Sequence, residues 1–138
     1  MNTFQVSILS LERPFYVGEC VSLVVPVTDG MLGIQANHPP LTAAIVGGPL
    51  TFTLPDGTRR VCAVSRGMID ISKNDPRILC ESIVAPEEVE NEKARRALED
   101  AMIEIDEAKG RRDYITSQIA FAKAFNDLKV KNRKSIVT

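Results

Sequence analysis

Along the first 84 positions apolar and polar residues alternate at period two, whereas beyond them apolar residues recur at steps of three and four. In "TFQVSIL" (residues 3–9), Phe4, Val6 and Ile8 share one face and Thr3, Gln5 and Ser7 the other, the pattern of a strand with one buried side. "CVSLVVPV", which follows Gly18, and "TAAIV" read as further buried strands. "LTFTL" and "RRVCAVS" flank "PDGT", where Asp56-Gly57 is a hairpin signal because glycine accepts positive φ at no steric cost. "GMIDIS" and "RILCESIV" are joined by "KNDP", another turn. About eight strands with one apolar face each, and no long helical segment between them, predict an antiparallel β-sandwich or flattened barrel rather than a parallel α/β sheet.

From Pro86 the pattern becomes helical. Pro86 suits a first helical position, and Glu87, Glu88, Glu90 and Glu92 complement the positive end of a helix dipole. Ala94, Ala97, Leu98, Ala101, Ile105 and Ala108 then form one apolar stripe, and Gly110 is a natural stop. After Arg111 to Asp113 a second stripe follows: Tyr114, Phe121, Ala124, Phe125 and Leu128. Two such helices with a tight connection predict an antiparallel hairpin, giving an α+β chain of a sandwich over 1–84 and a helical hairpin over 85–138. Because alanine buries only about 0.8 kcal/mol per methyl-sized group, the alanine-rich stripe predicts a hairpin docked by a few kcal/mol and therefore mobile.

Composition sharpens the division. Residues 1–84 carry 13 charges and residues 85–138 carry 22, evenly split by sign, while seven of eight glycines and all eight prolines fall at or before Pro86. Dense balanced charge with almost no breakers marks exposed helices. The net charge of −1 gives no field that would recruit nucleic acid or an anionic membrane. No apolar run reaches the ~18 residues of a membrane span, and "MNTFQVSILSLERP" lacks a signal peptide's charged start and cleavage site. Cys20, Cys62 and Cys80 have no CxxC spacing and sit in strand-like contexts, the pattern of buried reduced thiols. One histidine leaves no metal-ligand spacing.

The chemistry-bearing candidate is "TDGMLGIQANHPPL" (residues 28–41), which gathers Gly30, Gly33, Asn37, two prolines and the lone histidine into an apparent loop. His38 has no nucleophile motif around it, so a positioned loop residue outweighs a general base. "VGGPL" (residues 46–50) has two glycines but no following Lys-Ser/Thr, which excludes a phosphate-cradling loop. Asp70, Asp75 and Glu81 read as solvated strand or turn residues. The basic tail Lys129, Lys131, Arg133 and Lys134 lacks interleaved aromatics and fits helix capping or an acidic protein surface better than nucleic acid. The residues alone support a binding or regulatory subunit built from a sandwich and a movable hairpin.

At the level of motifs the chain resembles the epsilon subunits of rotary F-type ATP synthases. Thr28, Gly30, Leu32, Gly33, Ile34, His38, Pro40 and Leu41 match that family's first signature, roughly T-E-G-E-L-G-I-L-P-G-H-A-P-L, at the same spacing. Val64, Ser65, Gly67 and the alternating Met68 to Ile71 match its second, and Ala122, Lys123, Ala124, Leu128 and Val130 resemble its last helix. The resemblance implies a non-catalytic central-stalk subunit on the cytoplasmic face of a bacterial cell membrane, held there only through the complex. An organelle-encoded plastid origin is the alternative. Its implied partners are the gamma subunit, the ring of c subunits and the catalytic alpha and beta subunits. Gly30, Met31, Leu32, Gly33, His38 and Pro40 would form the stalk and ring loop, with Gly30 and Gly33 setting its turn. An extended hairpin would block ATP hydrolysis, its basic end meeting acidic segments of the catalytic subunits.

Two departures bear on detail. The family's usual glutamate after the first signature glycine is Met31 here, and a thioether cannot pair with a cation. Some members bind ATP through a motif resembling I-D-x-x-R-A; the aligned residues are Val89, Glu90, Lys93 and Ala94, with Lys123 on the last helix. Lysine lacks arginine's bidentate fork, and Asp127 stands where nucleotide-binding members tend to carry arginine, so no cofactor is expected and ATP enters only as a regulatory ligand. A stand-alone nucleotide-sensing module and a small hydrolase built on His38 are the competing readings.

Overall fold

A computed structural model describes the backbone of residues 2–137 and the side chains of residues 2–128. Ten strands come first: β1 (Phe4–Ser10), β2 (Pro14–Cys20), β3 (Ser22–Val27), β4 (Gly30–Ile34), β5 (Leu41–Ile45), β6 (Gly48–Thr53), β7 (Arg59–Val64), β8 (Gly67–Ile71), β9 (Arg77–Cys80) and β10 (Ile83–Val84). A single 3₁₀ turn (Pro86–Glu88) leads into α1 (Glu92–Glu107) and α2 (Gly110–Val137). The strands form one continuous order, β10-β7-β6-β3-β5-β8-β9-β1-β2, with β4 attached to β3. It folds at the β3–β5 junction, where Val27 pairs with Ile45, into two facing layers. Ile8, Ile69 and Ile78 from one layer and Leu23, Leu50 and Phe52 from the other meet in a fully buried core.

The alternating segments become the strands expected of them, and the Asp56-Gly57 turn closes β6 on β7, with Asp56 Oδ1 accepting from Thr58 N at 2.9 Å. Alternation cannot show strand direction. β1 runs antiparallel to β2 but parallel to β9, pairing Ile8 with Ile78. The stretch read as one strand through Cys20 and Val21 breaks there, β2 ending at Cys20 and β3 starting at Ser22.

Three helical expectations are corrected. α1 begins at Glu92, capped by Asn91 Oδ1 accepting from Ala94 N at 2.9 Å, so Pro86, Glu87 and Glu88 belong to the preceding 3₁₀ turn. Gly110 opens α2 (φ 83°) instead of closing α1, whose cap is Ala108. Ala97 is exposed, whereas Met102 is buried.

α1 and α2 pack together and lie across the outer face of β6 and β7. That cover explains why β6 is buried on both faces, Thr51 included, although "LTFTL" alternates. The hairpin has its own core: Leu98, Met102, Ile105, Tyr114, Phe121, Phe125 and Leu128 cluster with Val89 and Ala63, apart from the sandwich core. The expectation of a mainly alanine interface is therefore wrong; aromatic and branched side chains hold it, each contributing about 1.5–3 kcal/mol on full burial. With 28 residues against 16, α2 outruns α1 by about 18 Å at 1.5 Å per residue.

Candidate functional site

The signature stretch is less a loop than an arm. Gly30 to Ile34 form β4, pairing residue by residue with β3 from Val27↔Gly30 to Leu23↔Ile34, so that only Thr28 and Asp29 turn. Gly30 has φ 139°, a value that favours glycine, and so sets the turn. Gly33 does not: it sits within β4 opposite Val24, and a Cβ there would meet open space. The second bend is carried by Asn37 at φ 66°, whose N–H donates to Oδ1 of Asn74, itself at φ 54°. Asparagine tolerates that conformation better than most residues. The bond ties the way into β5 to the β8–β9 turn.

Side chains of the arm divide by face. Leu32 packs on the sandwich core and Met31 on the hairpin cluster. His38 is half-buried, with Nδ1 donating to the Pro39 carbonyl at 2.7 Å, and Pro40 is exposed. His38 also borders an open cavity of about 420 Å³ with Ser22, Val24, Gly33 and Gln35.

The seam between hairpin and sandwich was missed by sequence reasoning. A Cβ on Gly47 would lie 3.1 Å from the Phe121 ring, and one on Gly48 3.4 Å from Ile105 Cδ1. The two glycines of "VGGPL" are the floor on which both helices rest. The Tyr114 hydroxyl donates across the seam to the Val27 carbonyl at 2.7 Å, and burial pushes its pKa up. At the bend, Met31, Asp29, Ile105, Ala108, Arg111 and Tyr114 enclose a half-open cavity of about 610 Å³. A second cavity, about 410 Å³, opens along α2 between Phe121, Phe125, Asn126 and the Arg66–Glu81 ion pair.

The candidate nucleotide contacts divide between the hairpin cluster and the solvent-facing surface. Val89 is buried and Ala94 half-buried in the hairpin cluster, while Glu90, Lys93 and Lys123 are exposed. Lys129, Lys131, Arg133 and Lys134 lie outside the residues whose side chains are described, on the part of α2 that outruns α1. All three cysteines are free and buried in the sandwich core. Desolvation raises the thiol of Cys20 to about 11, that of Cys80 to about 12, and that of Cys62 further.

On the face away from the hairpin, register aligns Ala44, Met68, Leu79 and Leu9 in one outward row across β5, β8, β9 and β1. Met68 and Leu79 are 56% and 47% exposed, and Leu11 and Val17 beside them are 70% and 61% exposed. Apolar residues rarely gather on an outer sheet face without a partner. The pattern is legible only once the register is known, because each residue alone looks like ordinary strand alternation.

Comparison with known proteins agrees with this architecture. Residues 3–86 match the family profile "ATP synthase, Delta/Epsilon chain, beta-sandwich domain". The ATP synthase epsilon chain of Shouchella clausii is 36% identical over 101 residues, 73% of this chain and 75% of the relative. That of Caldanaerobacter subterraneus subsp. tengcongensis is 28% identical over 132 residues, 96% of each chain. A chain in the Euglena gracilis mitochondrial ATP synthase, solved by cryo-EM as OSCP/F1/c-ring, shares the fold at a TM-score of 0.61 and 19% identity, over 83% of this chain and 72% of that one. With a profile match across the sandwich and a relative 36% identical over 73% of the present chain's length, this chain belongs to the ATP synthase epsilon chain family.

Proposed function

We propose that this chain is a non-catalytic subunit of the central stalk of an F-type ATP synthase, coupling rotation of the membrane ring to ATP synthesis and restraining ATP hydrolysis through its hairpin. The observation that carries the reading is the division of labour between two outer faces. One is covered by the chain's own helices; the other presents the exposed apolar row of Met68, Leu79 and their neighbours. We assign that row to the gamma subunit and the arm, with Met31 and His38, to the ring of c subunits. The basic residues at the end of α2 would meet acidic segments of the catalytic subunits once the hairpin extends. The similar Euglena chain was solved in an assembly with F1 and a c-ring, the kinds of partner this assignment requires. No helix among the described residues is long and apolar enough to cross a membrane, and contact with the membrane would run through the complex.

The reading assigns no tight ATP site, because Val89 and Ala94 are committed to the hairpin cluster and Lys93 lacks the guanidinium fork. Micromolar, Glu90-dependent heat on titrating the chain with ATP would reverse that assignment. The main test is capture from membranes. The full chain should bring down gamma and catalytic subunits, and the pair Met68→Glu, Leu79→Glu should not, while keeping a native circular dichroism spectrum. Equal capture by both would remove the assigned face. Deleting residues 86–138 from the assembled enzyme should raise ATP hydrolysis, and unchanged hydrolysis would count against a restraining hairpin.

A further inference from the structure

We propose that the tip of the β3–β4 arm and the bend of the helical hairpin form a contact switch. Met31 serves either the docked hairpin or a partner at the arm tip, but not both. The two elements meet at points four residues apart on the arm. Met31 packs its side chain on the hairpin cluster, and the Val27 carbonyl accepts from the Tyr114 hydroxyl. Val27 pairs with Gly30 across the arm and with Ile45 of β5, so a displacement of the arm is passed directly to the atom that Tyr114 holds.

The contact is built to be reversible. Met31 is only half-buried, and the space beside it, against Ile105, Ala108 and Tyr114, is a cavity of about 610 Å³. Side chains facing a gap forgo the dispersion contacts that close packing would give. A thioether on a flexible stem can leave one apolar surface for another at little conformational cost. By linkage, whatever loads the tip weakens docking, and whatever weakens docking frees the tip by the same factor. The preceding functional reading enters only in naming what loads the tip inside the enzyme; the coupling belongs to the chain itself.

The free full-length chain supplies the test. Cys20, Cys62 and Cys80 are almost wholly inaccessible and their thiols are hard to ionise, so a maleimide selects an introduced cysteine. Met31→Cys and Met68→Cys are compared, the second lying on the opposite face as the control. A bulky maleimide adduct at position 31 should speed amide exchange throughout α1 and α2 by about tenfold or more, within the usual range of coupling factors, and leave the sandwich strands unchanged. The adduct at position 68 should do neither. In the reciprocal experiment, Tyr114→Phe should raise the rate of modification at position 31 several-fold, about the effect of losing one neutral hydrogen bond, without altering the rate at position 68.

Equal hairpin exchange in the two adducts, or a rate at position 31 indifferent to Tyr114→Phe, overturns the proposal. So does an adduct at position 31 that loosens the sandwich as much as the hairpin. Should Met31→Cys fold poorly, Met31→Ala read by hydrogen exchange alone must show the same hairpin-restricted loosening, and Met31→Leu must not. Failure of membrane capture would leave this coupling standing, and failure of the coupling would leave the stalk assignment standing.

Discussion

The sandwich and the hairpin are both packed around large apolar side chains, yet they are held in different ways. The strands that carry the sandwich core are paired on both sides, β1 with β2 and β9 and β6 with β3 and β7, so Ile8 or Phe52 cannot leave without breaking a ladder of hydrogen bonds. The helices satisfy theirs internally. Leu98, Ile105 and Phe121 therefore hold the hairpin through side-chain burial, aided by the Tyr114–Val27 bond. The detachability proposed for the hairpin would rest on this asymmetry rather than on a weak interface. Releasing the hairpin costs apolar burial in one cluster and leaves the other cluster whole.

Two phenylalanines put that comparison at its largest stake. Phe52→Ala and Phe121→Ala should each cost about 3–5 kcal/mol locally, since both rings are fully buried. The consequences should diverge. Phe52→Ala should lower the midpoint of global unfolding and speed exchange in strands and helices together. Phe121→Ala should abolish protection in α1 and α2 while the strands keep theirs. If Phe121→Ala exposes the strands as well, the two clusters form one cooperative unit and the asymmetry is lost.

A smaller effect, about 1–3 kcal/mol of overpacking, is expected for Gly48→Val. Its Cβ would press Pro26 at 3.0 Å, a shift of a few tenths of an ångström within the sandwich. Its branching methyls would overfill the space before Ile105 Cδ1, which the Cβ alone already reaches at 3.4 Å, so the larger displacement falls on the helix. Hairpin exchange should rise and the sandwich midpoint should barely change. A sandwich midpoint that falls in step with hairpin protection would show that Pro26, not the helix, yields.

These glycines mark the limit of what the sequence disclosed. Periodicity located most of the strands and the two helices because each rests on a local repeat, and the Asp56-Gly57 turn because its chemistry is local too, but it passed over β2, whose "PFYVGEC" shows no clean alternation, and ran β9 and β10 together. What stayed hidden depends on neighbours distant in sequence. Gly47 and Gly48 read as a broken phosphate loop because their reason for being glycine, Phe121 and Ile105, lies far along the chain. Gly33 and Gly30 disguised β4 as a loop, although their pairing with Val24 and Val27 is regular. Met102 escaped the stripe because alanines outnumbered it, and Tyr114 looked like a core aromatic until its hydroxyl was found on Val27. Signature matching singled out Met31, but not that its side chain belongs to the hairpin cluster.

Alkaline pH should separate the regions again, at about 1.4 kcal/mol per pH unit for a thiol such as Cys80. Its folded pKa, near 12, exceeds the unfolded thiol's value of about 8.5, so the unfolded chain loses its proton first. The stabilisation is complete below about pH 8.5 and drains away as pH rises from there through the folded value. Cys20 and Cys62 act in the same direction, and all three belong to the sandwich. The hairpin carries no cysteine, and Tyr114, raised from the ordinary tyrosine value near 10, begins to oppose docking only above that pH. Denaturant melts at pH 8 and pH 10 should show the sandwich weakening while hairpin exchange, corrected for its intrinsic pH dependence, stays level. Replacing the cysteines by alanine should flatten the slope; a persistent slope would place its origin elsewhere.

The smallest expected effect asks what the hairpin becomes once released. Asn91 caps α1, and Asn91→Ala should cost the helix about 1 kcal/mol. That loss shifts the docking equilibrium only if the cap is present in the docked state and absent in the released one. A helix that leaves intact would carry its cap along, and the ratio of docked to released chains would not change. α1 has 16 residues and two exposed ion pairs at i,i+4 spacing, Arg96 with Glu92 and Arg95 with Glu99. Isolated helices of about that length are marginal in water, and such pairs add only a few tenths of a kcal/mol each. In the free chain α1 should therefore fray on release, so Asn91→Ala should raise the released population about fivefold. The reading to take is exchange in α2, which has no part in the cap and so reports docking alone. Unchanged exchange in α2, with faster exchange confined to the first turn of α1, would mean that the hairpin detaches as a preformed unit.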